Sequence, residues 1–153
     1  MKANNILIQK IENRKTKNIY HYNINDNHYY IPNIGIQIKI WDFDFACIPG
    51  IVENSKVSAE WTNRINIKPI RNQYYDIHYF FNTFTRKGFF PEFLTESIIP
   101  LKVKEFVKRV VPDKFTKDNM VTERGRILEN IEYTTPSILI KEDEFFVKLR
   151  EVK

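Results

Sequence analysis

Several features that would narrow the function of a protein are scarce or absent in this 153-residue sequence. It contains a single cysteine, Cys47, so no disulfide can form within the chain, which fits a reducing compartment. No apolar run approaches the ~20 residues that span a bilayer, and no charged start followed by an apolar stretch marks a secretory signal. No phosphate-binding P-loop pattern is present. We therefore expect a chain with no membrane segment that acts in the cytoplasm.

Residues that commonly hold zinc or act as nucleophiles are few and scattered. The three histidines, His21, His28 and His78, lack the close spacing of a zinc site, and Cys47 has no partner near it in the sequence. A nucleophilic cysteine would need a base beside it, and no motif supplies one, so we expect Cys47 to be a buried structural residue. Zinc chemistry and thiol catalysis are both disfavoured.

The composition indicates a globular protein with a basic surface. The chain is 42% hydrophobic and 14% aromatic, and its length suits one domain rather than two. Its formal charge is +5, which permits attraction to nucleic acid or acidic partners. Four of the basic residues lie along one predicted helix: Lys102, Lys104, Lys108 and Arg109. A solvated helix face is the simpler interpretation of them.

Apolar periodicity predicts two pairs of strands in the first 41 residues. Residues 5–9 form one strand, and residues 35–41 form another in which Ile36, Ile38 and Ile40 alternate with polar side chains. Between them, residues 19–22 and 29–31 should form a hairpin whose turn is the Asn- and Asp-rich run 23–27. An isolated hairpin is marginal in water, so we expect these strands to pack on another element.

Helices are predicted after an irregular segment at residues 46–73. Residues 74–87 should form a helix, and its core-facing stripe comprises Tyr74, Ile77, Phe80, Phe81 and Phe84. The clearest helical period covers residues 100–111 and stops at Pro112. A last helix should begin with Thr135 as its cap and Pro136 in the first position. The side chains expected to pack inward near its end are Phe145, Phe146 and Leu149. Strands followed by helices predict an α+β fold.

Polar residues at the ends of the predicted strands 5–9 and 35–41 could form half of a phosphate-handling site. Asn5 opens the first strand and Asp42 directly follows the second, so antiparallel pairing would bring them to the same end. Mg²⁺ takes hard oxygen ligands such as these while keeping several waters, and phosphoryl transfer needs such a metal. Taken alone, the Asp-Phe pair at 42–43 more simply marks a strand end. The combination with Lys2 and Asn5 at this spacing favours a site.

The same segments carry a resemblance to a known family. Residues 1–8 (MKANNILI) and 38–45 (IKIWDFDF) resemble the catalytic loop and the metal-binding Asp-Phe-Gly turn of protein kinases. The resemblance implies that Asn5 and Asp42 bind Mg²⁺-ATP. It places Lys2 near the transferring phosphate and the substrate hydroxyl, a position that favours serine/threonine specificity. The catalytic Asp would lie one residue before Met1, so we expect the reading frame to extend upstream.

Later segments extend the resemblance over essentially the whole chain. Residues 75–81 (YDIHYFF) look like the central helix of the large kinase lobe, whose Asp76 would accept hydrogen bonds from catalytic-loop N–H groups. Residues 135–139 and the pair Phe145-Phe146 look like the final helices. The nearest likeness is to divergent kinases of large DNA viruses. It implies one partial kinase domain over residues 1–153, an N-terminal β-hairpin layer on a mostly α-helical body.

Some kinase features are missing from the sequence. There is no glycine-rich loop, no strand lysine with a partner Glu, no His-x-Asp and no Ala-Pro-Glu. Asp44 replaces the usual Gly, where it could restrict the turn or add a metal ligand. The interval from Asn5 to Asp42 also exceeds the common spacing, which requires an inserted hairpin. We therefore expect a missing N-terminal kinase segment as a partner, and little or no activity from this chain alone.

The sequence thus predicts a fragment of a serine/threonine protein kinase that uses ATP and Mg²⁺ in its intact form and acts on a protein substrate. Host cytoplasm or the virion is the expected location for a viral kinase. One alternative is a kinase-derived module that binds a partner without chemistry. Another is a basic, aromatic nucleic-acid binder, whose affinity would fall steeply with salt. Candidate phosphorylation sites in the presumed activation segment are Ser55, Ser58 and Thr62.

Overall fold

The computed structural model describes residues 1–11, 19–65, 67–68, 73–117, 119–128 and 134–150. In this part of the chain four strands come first and the main helices follow, so the predicted α+β class and the order of elements are confirmed. The chain forms two compact units. One comprises Met1–Asn5 with Asp42–Pro136, and the other comprises Ile6–Trp41 with Ser137–Lys153.

The strands form two separate antiparallel pairs, as predicted. Strand β1, Ile6–Lys10, pairs with β4, Ile36–Ile40, and Ile6 lies opposite Ile40. Strand β2, Ile19–Ile24, pairs with β3, Asn27–Pro32. Isoleucines alternate with polar residues in β4, so isoleucines of both strands lie on one face of the β1–β4 pair. Ile8 and Ile38 on that face are well exposed.

The turn of the β2–β3 hairpin is shorter than the predicted run 23–27. Only Asn25 and Asp26 form it, and their φ angles are +51° and +61°. Two consecutive residues with positive φ make the two-residue turn whose twist matches that of paired strands, and Asn and Asp tolerate that backbone better than most residues. The strands therefore continue to Ile24 and Asn27.

Among the described residues from Ser55 to Val110, the first unit holds three α-helices and one 3₁₀ helix. Helix α1, Ser55–Ser58, and a 3₁₀ helix at Glu60–Ile65 lie in the segment predicted to be irregular. The Asn54 side chain accepts a hydrogen bond from the Lys56 N–H and so caps α1. Helix α2 is Tyr75–Thr83, and helix α3 is Leu101–Val110. The predicted α3 is confirmed, and its buried residues are Phe106, Val107 and Val110.

The predicted core face of α2 was wrong in part. Tyr74, just before the helix, is fully buried as expected, but the rest of the predicted stripe is only half-buried. The residues that α2 buries are Tyr75, His78, Tyr79, Asn82 and Thr83. Polar side chains can occupy this face because they find partners within the unit: the Asn82 amide donates to the Gly125 carbonyl at 2.9 Å, for example. The helix also ends at Thr83, before the predicted residue 87.

The last helical segment begins at Pro136, as predicted, but divides in two. Helix α4, Pro136–Glu142, is followed by α5, Glu144–Val147. Asp143 lies between them and its side chain accepts a hydrogen bond from the Phe145 N–H at 2.8 Å, which caps α5. Phe145 and Phe146 are half-buried rather than fully inward.

The β2–β3 hairpin packs on this C-terminal segment within the second unit. Tyr29 is 3% exposed, and its hydroxyl donates to the Ile140 carbonyl at 3.1 Å. The Tyr30 N–H donates to the Leu149 carbonyl at 2.9 Å. The expectation that the hairpin lies on another element is therefore confirmed.

Candidate active site

Asn5 and Asp42, 37 positions apart in the sequence, are joined by a hydrogen bond. The Asn5 Nδ2 donates to Asp42 Oδ2 at 2.9 Å. Asn5 directly precedes β1, and Asp42 follows β4 after one residue, so the pairing of Ile6 with Ile40 sets both at the same end of the ladder. Asn5 is 5% exposed whereas Asp42 is exposed. The structure thus holds an amide in place beneath a carboxylate that solvent can reach.

The backbone at Asp42 has an unusual conformation. Its φ is +64°, in the left-handed region that few non-glycine residues occupy. Conformations of this kind cost about 1–3 kcal/mol and tend to persist where the surrounding structure over-determines them, often at functional sites. Asp is among the residue types that tolerate the conformation best. The turn therefore directs the Asp42 carboxylate at a cost in backbone energy.

Lys2 contacts Asn5 through its main chain. The Lys2 N–H donates to Asn5 Oδ1 at 3.0 Å, and the Asn5 N–H donates to the Lys2 carbonyl at 2.9 Å, within a 3₁₀ turn at Ala3–Asn5. The Lys2 ammonium forms no ion pair within the described residues. The three residues singled out from the sequence therefore lie together.

An oxygen-rich pair of this kind suits a hard cation. The Asn5 amide oxygen accepts one hydrogen bond, which leaves a second lone pair, and the Asp42 carboxylate is exposed. Mg²⁺ needs only one or two protein oxygens when phosphates and waters complete its shell. Across the described residues no group of three His, Cys, Asp or Glu side chains could hold a metal. The donor set therefore fits Mg²⁺ shared with phosphates, and does not fit an all-protein metal cage.

Helix α2 anchors the segment that carries Lys2 and Asn5. The Asp76 carboxylate accepts a hydrogen bond from the Met1 nitrogen, and Thr83 Oγ1 accepts one from the Ala3 N–H at 3.1 Å. Asp76 and Thr83 are seven residues apart, which is two helical turns and hence one face. Asp76 was expected to accept hydrogen bonds from catalytic-loop N–H groups, and its side chain in this structure is 73% exposed. Thr83 was missed, although its spacing from Asp76 is a signal that could have identified it.

A second polar residue missed in the sequence fixes the turn after Asp42. The Asn54 Nδ2 donates to the carbonyls of Asp44 and Ala46 at 2.9 and 3.0 Å. The Asp44 carboxylate pairs with Lys56 Nζ at 2.8 Å, and both side chains are largely exposed. Asp44 therefore ties its turn to α1, an arrangement that restricts the turn.

The three candidate phosphorylation sites differ in accessibility. Ser55 and Ser58 are the first and last residues of α1, and both are exposed. Thr62 is fully buried, and its hydroxyl donates to the Val57 and Ala59 carbonyls at 2.9 and 2.6 Å. In this conformation only the serines are open to modification.

The histidines and the cysteine lie outside this site. His21 Nε2 lies 2.6 Å from His28 Nδ1 across the β2–β3 hairpin. His78 is fully buried on α2, and its burial, with a smaller contribution from Arg86, lowers its pKa from 6.5 to about 4. Cys47 is a free thiol and is only half-buried, less so than the sequence suggested.

Comparisons with known proteins show which family the chain belongs to. Residues 1–147 match the family described as poxvirus serine/threonine protein kinase. A protein of Acanthamoeba polyphaga mimivirus, provisionally named a serine/threonine-protein kinase, is 51% identical over 154 residues. That match covers 98% of this chain but 32% of the relative, so the chain spans about a third of the relative's length. No solved structure matches this chain. No helix in the described ranges is long and apolar enough to cross a membrane. The chain belongs to the poxvirus serine/threonine protein kinase family.

Proposed function

We propose that residues 1–153 form the large-lobe part of a serine/threonine protein kinase, within a longer protein that transfers the γ-phosphoryl group of ATP to a protein hydroxyl. The observation that carries the proposal is the 2.9 Å hydrogen bond between Asn5 and Asp42. It brings together the two residues that we assign as metal ligands, one amide and one carboxylate, as this reaction uses in protein kinases. Family membership and the relative's name are in keeping with the proposal.

Asn5 and Asp42 would hold the metal through one amide oxygen and one carboxylate. Bound Mg²⁺ supplies neutralisation of the negative charge that the phosphates carry during transfer. Asp42 is suited to this role because its carboxylate is exposed on a turn whose backbone is fixed. Asn5 is suited because its amide is already oriented by Lys2 and by Asp42 itself.

Lys2 would orient the phosphate through its ammonium group, which makes no ion pair within the described part of the chain. Its backbone is locked by reciprocal hydrogen bonds with Asn5, so the side chain starts from a defined point. A charged group that is already positioned before the reaction stabilises the transition state with little rearrangement of the protein. Thr83 and Asp76 contribute by holding residues 1–3 on α2.

Phosphotransfer by the longest natural protein that contains this chain tests the proposal. ATP, Mg²⁺ and peptides with Ser/Thr or Tyr acceptors should give Ser/Thr phosphorylation that disappears when Mg²⁺ is chelated. Asn5→Ala should lower turnover strongly, whereas Asn4→Ala, at the exposed neighbouring position, should not. Equal activity of the two variants, or transfer that needs no divalent cation, would contradict the proposal.

A further inference from the structure

Two histidines of the β2–β3 hairpin bring ring nitrogens face to face. His21 Nε2 lies 2.6 Å from His28 Nδ1, and the angle between the two ring planes is 15°. The residues are seven positions apart in the sequence, so their spacing gave no sign of a metal site. A hydrogen bond between the rings explains the contact in the free protein. Imidazole nitrogens are also the commonest metal ligands in proteins, so the pair has a second use.

The register of the hairpin places both histidines on one face. His21 lies opposite Tyr30 and His28 lies opposite Asn23, so the two histidines are diagonal neighbours across the strand pair. The Cα atoms of diagonal neighbours are about 7–8 Å apart, which is within reach of ring-sized side chains. The contact between the rings therefore follows from paired strands, and the backbone on both sides of it is held by the ladder.

Solvent reaches this pair, and its neighbours orient it. His21 is exposed and His28 is half-buried. The Tyr30 ring stacks on His21, with the ring centroids 4.9 Å apart and the planes 9° from parallel. Strand β3 is tied in turn to the C-terminal segment, because the Tyr30 N–H donates to the Leu149 carbonyl at 2.9 Å. An ion from solution can therefore approach two imidazoles that the fold already holds side by side.

We propose that His21 and His28 together bind a divalent transition-metal ion such as Zn²⁺. Imidazole suits Zn²⁺, Ni²⁺ and Cu²⁺, whereas Mg²⁺ prefers oxygen. Two nitrogens bound to Zn²⁺ at about 2.0–2.1 Å and a tetrahedral angle are about 3.3 Å apart. The rings, now 2.6 Å apart at these atoms, need to separate by less than about 1 Å. Side-chain rotation supplies such a movement without a change in the strands.

Both rings bind the ion as neutral imidazoles. His21 then carries its proton on Nδ1 and His28 carries its proton on Nε2, so the proton that lies between two neutral rings in the free protein moves to a remote nitrogen. Waters complete the shell, because across the described ranges no group of three His, Cys, Asp or Glu side chains could hold a metal. The site does not depend on the proposed kinase activity, since neither histidine belongs to the Asn5–Asp42 site.

Calorimetric titration with Zn²⁺ tests the site in the longest natural protein that contains this chain, purified without a polyhistidine tag. His21→Gln and His28→Gln should each weaken Zn²⁺ binding at this site by about 10²-fold or more, because either change leaves one ligand of a linked pair. Tyr20→Gln, at an exposed position on the opposite face of β2, is the control and should bind Zn²⁺ like the parent. Cu²⁺ should bind more tightly than Ni²⁺ or Zn²⁺, and Mg²⁺ should not bind there.

Hydrogen exchange of the unaltered protein gives a second readout that needs no variant. Zn²⁺ should slow amide exchange in β2 and β3, because an ion held by one histidine from each strand links the two strands. Unchanged exchange in the hairpin at saturating Zn²⁺ would overturn the proposal. So would a Zn²⁺ affinity that survives either histidine substitution, since it would leave His21 and His28 as an ordinary hydrogen-bonded pair.

Discussion

The side chain of Asn5 lies under that of Asp42 and donates a 2.9 Å hydrogen bond to it, although the two residues are 37 positions apart. Asn5 is almost fully buried and Asp42 is exposed, so the pair has one fixed member and one member open to solvent. The left-handed backbone of Asp42, with φ of +64°, adds a second constraint on the carboxylate. Substitutions of Asp42 can therefore test the backbone conformation of this turn separately from the negative charge of its carboxylate.

The first prediction concerns the conformation of the turn. Asp42→Asn should melt within about 2 °C of the parent, because Asn tolerates left-handed backbone and changes the stability by a few tenths of a kcal/mol. Asp42→Ala should be less stable by about 1 kcal/mol, since alanine tolerates positive φ poorly and leaves the Asn5 amide without its acceptor. Thermal melts of the two variants make the comparison. An alanine variant as stable as the asparagine variant would show that φ at Asp42 carries no strain.

The second prediction concerns the anchor between α2 and residues 1–3. Thr83→Val should destabilise the protein by about 1–2 kcal/mol, because the Ala3 N–H loses its acceptor and the Thr83 position is fully buried. Thr83→Ser keeps the hydroxyl and is the matched control. Asp76→Ala should cost less than Thr83→Val, because the Asp76 carboxylate is 73% exposed and water can replace it. Denaturant unfolding measures all three, and a reversed order would contradict the anchor.

The third prediction is a pH dependence of stability set by His78. Its pKa is about 4 in the folded protein and 6.5 ordinarily, so the folded state stays neutral while the unfolded chain takes up a proton. His78 therefore stabilises the fold fully above about pH 6.5, and this stability declines as pH falls towards 4. The loss is on the order of 3 kcal/mol, since each pKa unit corresponds to about 1.4 kcal/mol. Urea titrations from pH 7.5 to 4 give the free energy of unfolding at each pH. His78→Gln should make this free energy depend less on pH between 6.5 and 4. An unchanged pH dependence would show that His78 is not its source.

The fourth prediction concerns the apolar face of the β1–β4 pair. Ile8 and Ile38 are cross-strand partners and are 69% and 60% exposed, with Ile40 also exposed on the same face. Exposed apolar surface of this kind promotes association, so the 153-residue chain expressed alone should self-associate. Replacing Ile8 and Ile38 by Thr keeps strand propensity and should reduce the apparent mass in light scattering. A monodisperse parent monomer with a cooperative melt would refute this prediction and favour the binding-module alternative.

The sequence predicted the elements of this chain better than the faces they bury. The strand pairs and α3 follow directly from apolar periods of two and 3.6 residues. The proximity of Asn5 to Asp42 follows from the antiparallel pairing of their strands. The buried face of α2 could not be read this way, because hydrogen bonds made by Asn82 and Thr83 decide it rather than hydrophobicity. Helix α1 was not predicted because it is a single turn after its cap, Asn54, which is too short to show a helical period.

The most direct test of the account is phosphotransfer by Asp42→Asn in the longest natural protein that contains this chain. Asp26→Asn is the matched control, because Asp26 is also an exposed aspartate with positive φ but lies in the β2–β3 turn. If Asp42 holds the metal, its loss should lower turnover by about 10²–10³-fold while folding is preserved, as is typical when one electrostatic contact of a transition state is removed. Asp26→Asn should retain full activity. Full activity of Asp42→Asn would contradict the assignment of Asp42 as a metal ligand, and with it the proposed active site.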